Sequence, residues 1–178
     1  MPTASALSGK WVIRVPYVFE LKKTASDSKH EFYRELAAQA RSLLRDERDL
    51  TANAANLSAL LYHSMPDVNW VGFYFLKDGE LVVGPFQGKP ACVRIALGKG
   101  VCGIAATRRE TILVPDVNQF PGHIFCDSDS RSEIVLPLIR DGELLGVLDI
   151  DSPRLARFDE EDRTNLEKLS TVFLDALG

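Results

Sequence analysis

The sequence lacks the features that mark secreted, membrane-bound and nucleic-acid-binding proteins. Three cysteines in 178 residues are too few, and odd in number, for a secreted disulfide framework. No apolar run approaches the roughly 18 residues that a membrane span needs, and no apolar signal core stands at the N-terminus. A formal net charge of −4 gives no basic stripe for a phosphate backbone. We therefore expect a cytoplasmic protein that binds neither membranes nor nucleic acids.

Several common catalytic and metal-binding signatures are also missing. The chain has no Gly-x-Ser-x-Gly elbow, no phosphate-binding glycine loop with its lysine, and no paired-histidine metalloprotease motif. A zinc site made of Cys92, Cys102, His123 and Cys126 has suitable residue types but no Cys-x-x-Cys knuckle. We expect no metal and keep the zinc site as an alternative, with His123 interpreted as a residue that structures its loop.

The composition, 46% hydrophobic and 26% charged, is that of one globular domain with a sizeable core. Residues 1–29 form an N-terminal appendage in this interpretation, either a packed arm or a disordered segment. Lys10 and Arg14 precede the first acidic residue, Glu20, so an organellar targeting peptide is an alternative. Residues 30–178 are expected to form the single domain.

Helical spacing of apolar residues predicts two helices near the start of that domain and one at its end. The first begins near residue 29, the second has Asp49 or Thr51 as its N-cap and ends at Pro66, and the last is capped by Asp159.

Between these helices, apolar and aromatic runs predict strands. Asp78-Gly79 and Asp141-Gly142 are dipeptides that favour two-residue hairpin turns, so we predict two hairpins, over residues 69–86 and 134–150. Further strands are predicted near residues 93–97 and 111–114, with a short helix over 101–108. The chain is therefore an α+β domain: a central antiparallel sheet with the N- and C-terminal helices on one face and a loop-covered ligand pocket on the other.

The polar stretch over residues 115–133 is the prime candidate for function, because so long a connection inside a compact domain is unusual. It carries Cys126 between two strand-like runs, and Phe120, Ile124 and Phe125 give it apolar anchors. We interpret it as a loop that presents a reactive thiol to a small polar ligand.

Strand alternation predicts which side chains face the pocket. Trp70 and Tyr74 share one face of their strand, although ordinary packing would also explain them. In the second hairpin, Asp149 and Asp151 fall on one face with Leu145 and Val147, opposite Leu144, Leu148 and Ile150, and Glu133 lies in register with the two acids. Two carboxylates at the end of an apolar strand are costly to bury. The alternative is that the acids only cap turns, with Glu133 paired to Arg131.

Seven short motifs, in order, resemble the free methionine-R-sulfoxide reductase family, which is built on a GAF domain. The resemblance covers the chain from about Phe32 onward and includes all three cysteines. The sequence departs from the family pattern at two places. One is Phe125, where the family has a small residue, and the other is the N-terminal appendage. The motifs are residues 69–74, 84–92, 98–103, 116–124, 126–127, 130–135 and 146–152.

The resemblance implies a GAF fold and reduction of free L-methionine-(R)-S-oxide to L-methionine. By motif, Cys126 matches the attacking cysteine, Cys92 the resolving cysteine and Cys102 an auxiliary thiol. A sulfenic acid and then a disulfide would form, with thioredoxin as the external reductant and no cofactor. Cys102 stands at a predicted helix start, which would favour a thiolate, so the attacking role stays open between Cys126 and Cys102.

The resemblance also assigns the pocket. Trp70 and Tyr74 would form the wall around the S-methyl group, Ile124 and Phe125 a lid, and the acids at 133, 149 and 151 the polar contacts to substrate. A homodimer formed through the terminal helices is expected. The competing hypothesis is a GAF module that senses a small molecule or redox state without catalysis.

Overall fold

The computed structural model describes residues 19–21, 28–124 and 127–178 of the chain. The helices are α1 (Lys29–Leu44), α2 (Leu50–Ser64), α3 (Gly100–Arg108) and α4 (Glu160–Ala176). The strands are β1 (Trp70–Lys77), β2 (Glu80–Gln87), β3 (Arg94–Ala96), β4 (Ile112–Val114), β5 (Ser132–Arg140) and β6 (Glu143–Ser152), and one turn of 3₁₀-helix spans Val117–Gln119. No described helix has the length and apolar character that crossing a membrane requires. Of the predicted appendage, Phe19 packs against the core, and residues 1–18 and 22–27 lie outside the described part.

The six strands form one antiparallel sheet in the order β3-β2-β1-β6-β5-β4. Both predicted hairpin turns are present. Asp78 and Gly79 have φ values of 52° and 83°, and Asp141 and Gly142 have 51° and 82°. A positive φ at both central positions matches the right-handed twist of the strands that the turn joins. The turns therefore set the registers of the β1–β2 and β5–β6 hairpins.

Both faces of the sheet are covered. Val71, Phe73 and Phe75 face a helix-side core, defined by these strand residues and by apolar residues of α1, α2 and α4. Trp70 and Tyr74 face a second set, the site-side cluster, which includes Val147 and residues of α3. The predicted placement of the N- and C-terminal helices on one face is confirmed. The structure adds α3 to the opposite face, where it encloses part of the pocket that loops were expected to cover.

The alternation along β6 reverses at a bulge. Leu138 pairs with Gly146 and Ile139 pairs with Leu144, so Leu145 is an extra residue. A Cβ atom on Gly146 would lie 2.1 Å from the carbonyl oxygen of Tyr74, so β1 and β6 approach too closely there for a side chain. Leu145 consequently packs toward the helix-side core and Leu144 toward the site-side cluster. The predicted faces of these two leucines are wrong.

The start of α4 is held by a buried carboxylate. Asp159 is the N-cap, as predicted, and Asp162 completes a capping box with it. The side chain of Asp162 is 1% exposed and accepts hydrogen bonds from Tyr33 Oη (2.7 Å) and Lys29 Nζ (2.7 Å). Arg157 lies 3.4 Å away. The network therefore joins α1 and the β6–α4 connection to the first turn of α4.

Replacing Asp162 by alanine is expected to lower the free energy of unfolding by about 3–5 kcal/mol, because it leaves buried donors of Tyr33 and Arg157 without an acceptor. Denaturant titration would measure the loss. Glu161→Ala, at an exposed position in the same helical turn, is the matched control and should change stability by less than about 0.5 kcal/mol. Equal losses for the two variants would contradict the structural role of Asp162.

Candidate active site

Three carboxyl groups meet on the face of the sheet that α3 covers, and we call them the carboxyl cluster: Glu133, Asp149 and Asp151. Glu133 of β5 pairs directly with Asp151 of β6. On the other side of β6, Asp151 pairs with Trp70 and Asp149 with Gly72, both on β1. Directly paired residues project to the same face of a sheet, so the predicted approach of Glu133 to the two aspartates is confirmed.

Burial dominates the electrostatics of the carboxyl cluster. Glu133 is 5% exposed and Asp149 is 6% exposed. Burial, followed by repulsion between the neighbouring acids, raises the pKa of Glu133, Asp149 and Asp151 well above their ordinary values. Glu133 and Asp149 also hydrogen-bond to each other, which requires a proton on one of them. Across the described residues, no lysine or arginine forms an ion pair with these three acids. Turn capping alone does not account for this arrangement.

Cys102 completes the polar side of the site from the first turn of α3. It is 4% exposed and hydrogen-bonds to Asp149. Burial raises the pKa of the Cys102 thiol well above its ordinary value, and Asp149 and Glu133 raise it further. The expectation that the start of the helix would favour a thiolate is therefore wrong for Cys102, because burial and the adjacent acids outweigh the helix terminus.

The apolar side of the site is an aromatic stack on β1 and β2. The Trp70 ring lies 5.8 Å from Tyr74 and 5.3 Å from Phe86, centroid to centroid, and is nearly parallel to both. Gly72 makes room for the indole, since a Cβ there would lie 2.5 Å from its Cη2 atom. The indole Nε1 donates to the carbonyl oxygen of Lys89 (3.1 Å). Trp70 and Tyr74 are therefore packed in the site-side cluster, as the ordinary-packing alternative predicts. They also border two cavities in the site.

Two narrow cavities lie among these groups. The larger has a volume of about 30 Å³, and the smaller, of about 20 Å³, lies toward Trp70. Both are lined by Tyr74, Asp127, Asp149 and Asp151. Ile124, 37% exposed, closes the larger cavity against α3, where a Cβ on Gly100 would lie 3.1 Å from its Cδ1 atom. The cavities are thus parts of one recess, with an acidic floor and an apolar wall.

His123 is a site residue that the sequence did not assign to the pocket. Its side chain is 8% exposed, and its Nε2 atom lies 3.3 Å from Oε2 of Glu133. Burial lowers the pKa of His123, so the imidazole is neutral at neutral pH. The alternative pairing of Glu133 with Arg131 is wrong, because Arg131 is exposed and the contact of Glu133 is with His123. No local pattern marks His123, because its contact depends on how the loop folds back over β5.

A second group of polar residues connects the loop that contains Asp127 to Asn69, the residue just before β1. Asn69 Nδ2 donates to Asp127 (3.2 Å) and Ser130 (3.0 Å). Lys89 donates to Asp127 (3.1 Å) and also to Asp129. The backbone N–H of Asp129 is the main reason that the pKa of Asp127 is lowered. None of these residues was predicted to belong to the site, because each contact joins distant parts of the chain.

The cysteines differ in state and surroundings. Cys92 is half-buried and disulfide-bonded, whereas Cys102 is a free, buried thiol. The predictions about Cys126 and Phe125 concern residues outside the described part. Within that part, one group of at least three potential metal ligands converges: Cys102, Glu133 and Asp149, whose ligand atoms lie within 4.8 Å of one another. The cysteine and histidine set considered for zinc is not the group that converges there.

Comparison with known proteins agrees with the geometry. The GAF domain family model matches residues 29–176. A protein from Escherichia coli named free methionine-R-sulfoxide reductase is 51% identical over 142 residues, which cover 80% of this chain and 86% of that protein. The substrate complex of the free methionine-R-sulfoxide reductase from Neisseria meningitidis is 45% identical, with a TM-score of 0.86 over 90% of this chain and 96% of that one. A structure described as a putative GAF sensor protein, from Burkholderia vietnamiensis, is 64% identical, with a TM-score of 0.81 over 84% and 95% of the two chains.

Replacing Asp149 by asparagine is expected to stabilise the fold at neutral and alkaline pH. Its pKa is raised in the folded state, so the wild type loses stability as pH rises from about 4, the unfolded value, through the higher folded pKa. We therefore expect Asp149→Asn to raise the free energy of unfolding near pH 8, with almost no gain near pH 4. Denaturant titrations at the two pH values would measure it.

The control for that comparison is Glu143→Gln, which removes an exposed carboxylate and should leave stability nearly unchanged at both pH values. A gain for Asp149→Asn that is independent of pH, or a loss that grows with pH, would show that Asp149 is not held in its neutral form.

Proposed function

Since the chain belongs to the GAF-domain family of free methionine-R-sulfoxide reductases, we propose that it reduces free L-methionine-(R)-S-oxide to L-methionine with a pair of its own cysteines. The observation that carries this proposal is the carboxyl cluster, in which Glu133 and Asp149 are buried and Asp151 is half-buried, without a lysine or arginine partner in the described residues and beside the aromatic stack. This recess combines acidic and apolar groups, as a small zwitterionic sulfoxide requires.

Each part of the substrate has a counterpart in the recess. An ionised carboxylate of the carboxyl cluster binds the ammonium group through charge-assisted hydrogen bonds. A protonated carboxyl, kept neutral by burial and by the adjacent acid, donates to the sulfoxide oxygen. Trp70 and Tyr74 provide the wall for the S-methyl group, and Ile124 closes the recess.

In the first chemical step, the Cys126 thiolate attacks the sulfoxide sulfur while the carboxyl cluster supplies a proton to the oxygen. The oxygen passes to the cysteine, methionine leaves, and Cys126 becomes a sulfenic acid. Sulfur in the substrate is thereby reduced by two electrons, and Cys126 is oxidised by two.

In the second step, the Cys92 thiol attacks the sulfenic sulfur, a disulfide forms and water leaves. Thioredoxin, as an external dithiol, then reduces the disulfide by exchange. Two properties of the described cysteines support this division: Cys92 engages in a disulfide, and Cys102 is a protonated, buried thiol. Cys102 accordingly acts as an auxiliary group that hydrogen-bonds to Asp149.

The proposal includes a cytoplasmic location, a homodimer formed through the terminal helices, and no resident cofactor. The competing function, a GAF module that senses a small molecule, draws on the 64% identical structure described as a putative sensor. The converging thiol and carboxyl groups favour the reductase, because a sensor does not need a proton donor beside a redox pair.

Release of methionine from separated R and S diastereomers of free methionine sulfoxide, with a thioredoxin system, tests the reaction and the cysteine roles. We expect turnover of the R form alone. Cys126→Ser should abolish it, whereas Cys92→Ser should complete one turnover and then stop, because its sulfenic acid cannot be resolved. Dithiothreitol in a parallel assay separates the chemistry from thioredoxin recognition.

Two outcomes would revise the assignment. Loss of activity with Cys102→Ser, together with a retained first turnover for Cys126→Ser, would exchange the roles of those two cysteines. If reduced wild type converts neither diastereomer, the reductase proposal is overturned and the sensor function takes its place.

The carboxyl cluster makes a separate prediction. Glu133→Gln removes one proton-donating acid, and we expect kcat/KM to fall by a factor of about 10²–10⁴. In the wild type, kcat/KM should decline as pH rises through the raised pKa values of the carboxyl cluster, since the donor is then lost. Steady-state rates across pH would measure both effects. Glu143→Gln, an exposed change on the same hairpin, should match the wild type, and an equal loss there would remove the case for Glu133.

A further inference from the structure

We propose that the recess binds one zinc ion through Cys102, Glu133 and Asp149, and that this ion reversibly inhibits the enzyme. The three side chains come from α3, β5 and β6, so the fold brings their ligand atoms together without any sequence spacing that would mark a metal site. The ion is an inhibitor in this proposal and not a resident cofactor.

The geometry suits a small tetrahedral cation. Zinc binds thiolate, carboxylate and imidazole ligands at about 2.0–2.3 Å, so tetrahedral ligand atoms lie about 3.3–3.8 Å apart. The sulfur of Cys102 and the carboxylate oxygens of Glu133 and Asp149 already lie within 4.8 Å of one another. Side-chain rotations that move these atoms by about 1 Å would bring them to tetrahedral separations. Three protein ligands leave the fourth position open for water or for His123, whose Nε2 lies 3.3 Å from Oε2 of Glu133.

Two further observations point to a cation at this place. Oδ1 of Asp149 is buried and has no hydrogen-bond partner among the described residues, although such an atom normally has one. In addition, no described lysine or arginine forms an ion pair with Glu133 or Asp149. Lys89, a nearby ammonium group, is bonded to Asp127 and Asp129. A divalent ion bound by the Asp149 carboxylate would supply a positive charge to these acids, with release of the thiol and carboxyl protons.

The ligand types select zinc over the commoner hard cations. Magnesium and calcium prefer sites made of oxygen atoms alone, whereas a thiolate with carboxylates and a nearby imidazole suits zinc. The ion would occupy the positions that the proposed function gives to the ammonium group and the sulfoxide oxygen. Inhibition should therefore be competitive with methionine sulfoxide, and this part of the inference depends on the proposed function.

Metal binding can be measured without turnover. In a Cys92→Ser/Cys126→Ser variant, Cys102 is the remaining thiol, so zinc captured by the proposed redox pair does not interfere. Titration calorimetry should give about one zinc ion per chain, and cobalt should give a thiolate-to-cobalt charge-transfer band. Adding Cys102→Ser should remove the band and weaken zinc binding at least about tenfold, a change of about 1.4 kcal/mol.

Asp149→Asn in the same double variant should weaken zinc binding to a similar degree, whereas Glu143→Gln should not. Thermal unfolding of each variant would show that it is folded. Failure of the double variant to bind zinc, or binding that neither Cys102→Ser nor Asp149→Asn weakens, would overturn the site.

Inhibition is tested on reduced wild type by varying methionine-R-sulfoxide at fixed free zinc concentrations. We expect the apparent KM to rise while kcat is unchanged, and the inhibition constant of Cys102→Ser, referred to its own zinc-free rate, to rise at least about tenfold. Inhibition that lowers kcat alone would contradict competition within the recess. If the wild type has no reductase activity, the binding experiment still decides the metal site, so the two proposals fail separately.

Discussion

The burial of Glu133 and Asp149 beside half-buried Asp151, with no lysine or arginine paired to them in the part of the chain that the structure describes, is the constraint on which the site depends. A buried carboxylate is tolerated only if it is paired, hydrogen-bonded or protonated. Glu133 and Asp149 meet this condition by sharing a hydrogen bond, with Cys102 against Asp149 and His123 against Glu133. Burial of adjacent acids therefore both keeps a proton in the site and lowers the stability of the fold.

Asp162 shows how differently the same kind of side chain behaves when partners are present. It is as deeply buried as Asp149, but Lys29, Tyr33 and Arg157 surround it, and it fastens a helix start to the rest of the domain. Among the residues that the structure describes, no lysine or arginine pairs with Asp149, and its Oδ1 atom has no hydrogen-bond partner. An acid buried with full compensation serves the fold, and an acid buried without it is available to a ligand. The helix-side core and the site-side cluster separate these two tasks on opposite faces of one sheet.

Much of this arrangement could be predicted from the sequence, because the decisive signals are local. The Asp-Gly turns fix the hairpins, so the pairing of Glu133 with Asp151 and the shared face of Trp70 and Tyr74 follow from strand periodicity. The faces of Leu144 and Leu145 could not be predicted, because the bulge beside Gly146 arises from the close approach of another strand. The contact of His123 with Glu133 was likewise missed, since it depends on a loop folding across the sheet. The high thiol pKa of Cys102 reflects burial, which a helix-terminus argument does not include.

The tight turn at Asp141 and Gly142 has a consequence for the order in which the molecule assembles. Residues 133 and 151 are close in sequence, so hairpin closure brings them together at a small cost in chain entropy and on a microsecond scale. Asn69 and Asp127, by contrast, are separated by 58 positions, and such a contact must wait for the domain to form. The acids of the carboxyl cluster thus lie on a local hairpin, whereas the contact of Asn69 with Asp127 joins parts of the chain that are far apart in sequence. Under the proposed function, the groups that bind substrate would therefore form early with a local hairpin, before the long-range contacts of the domain.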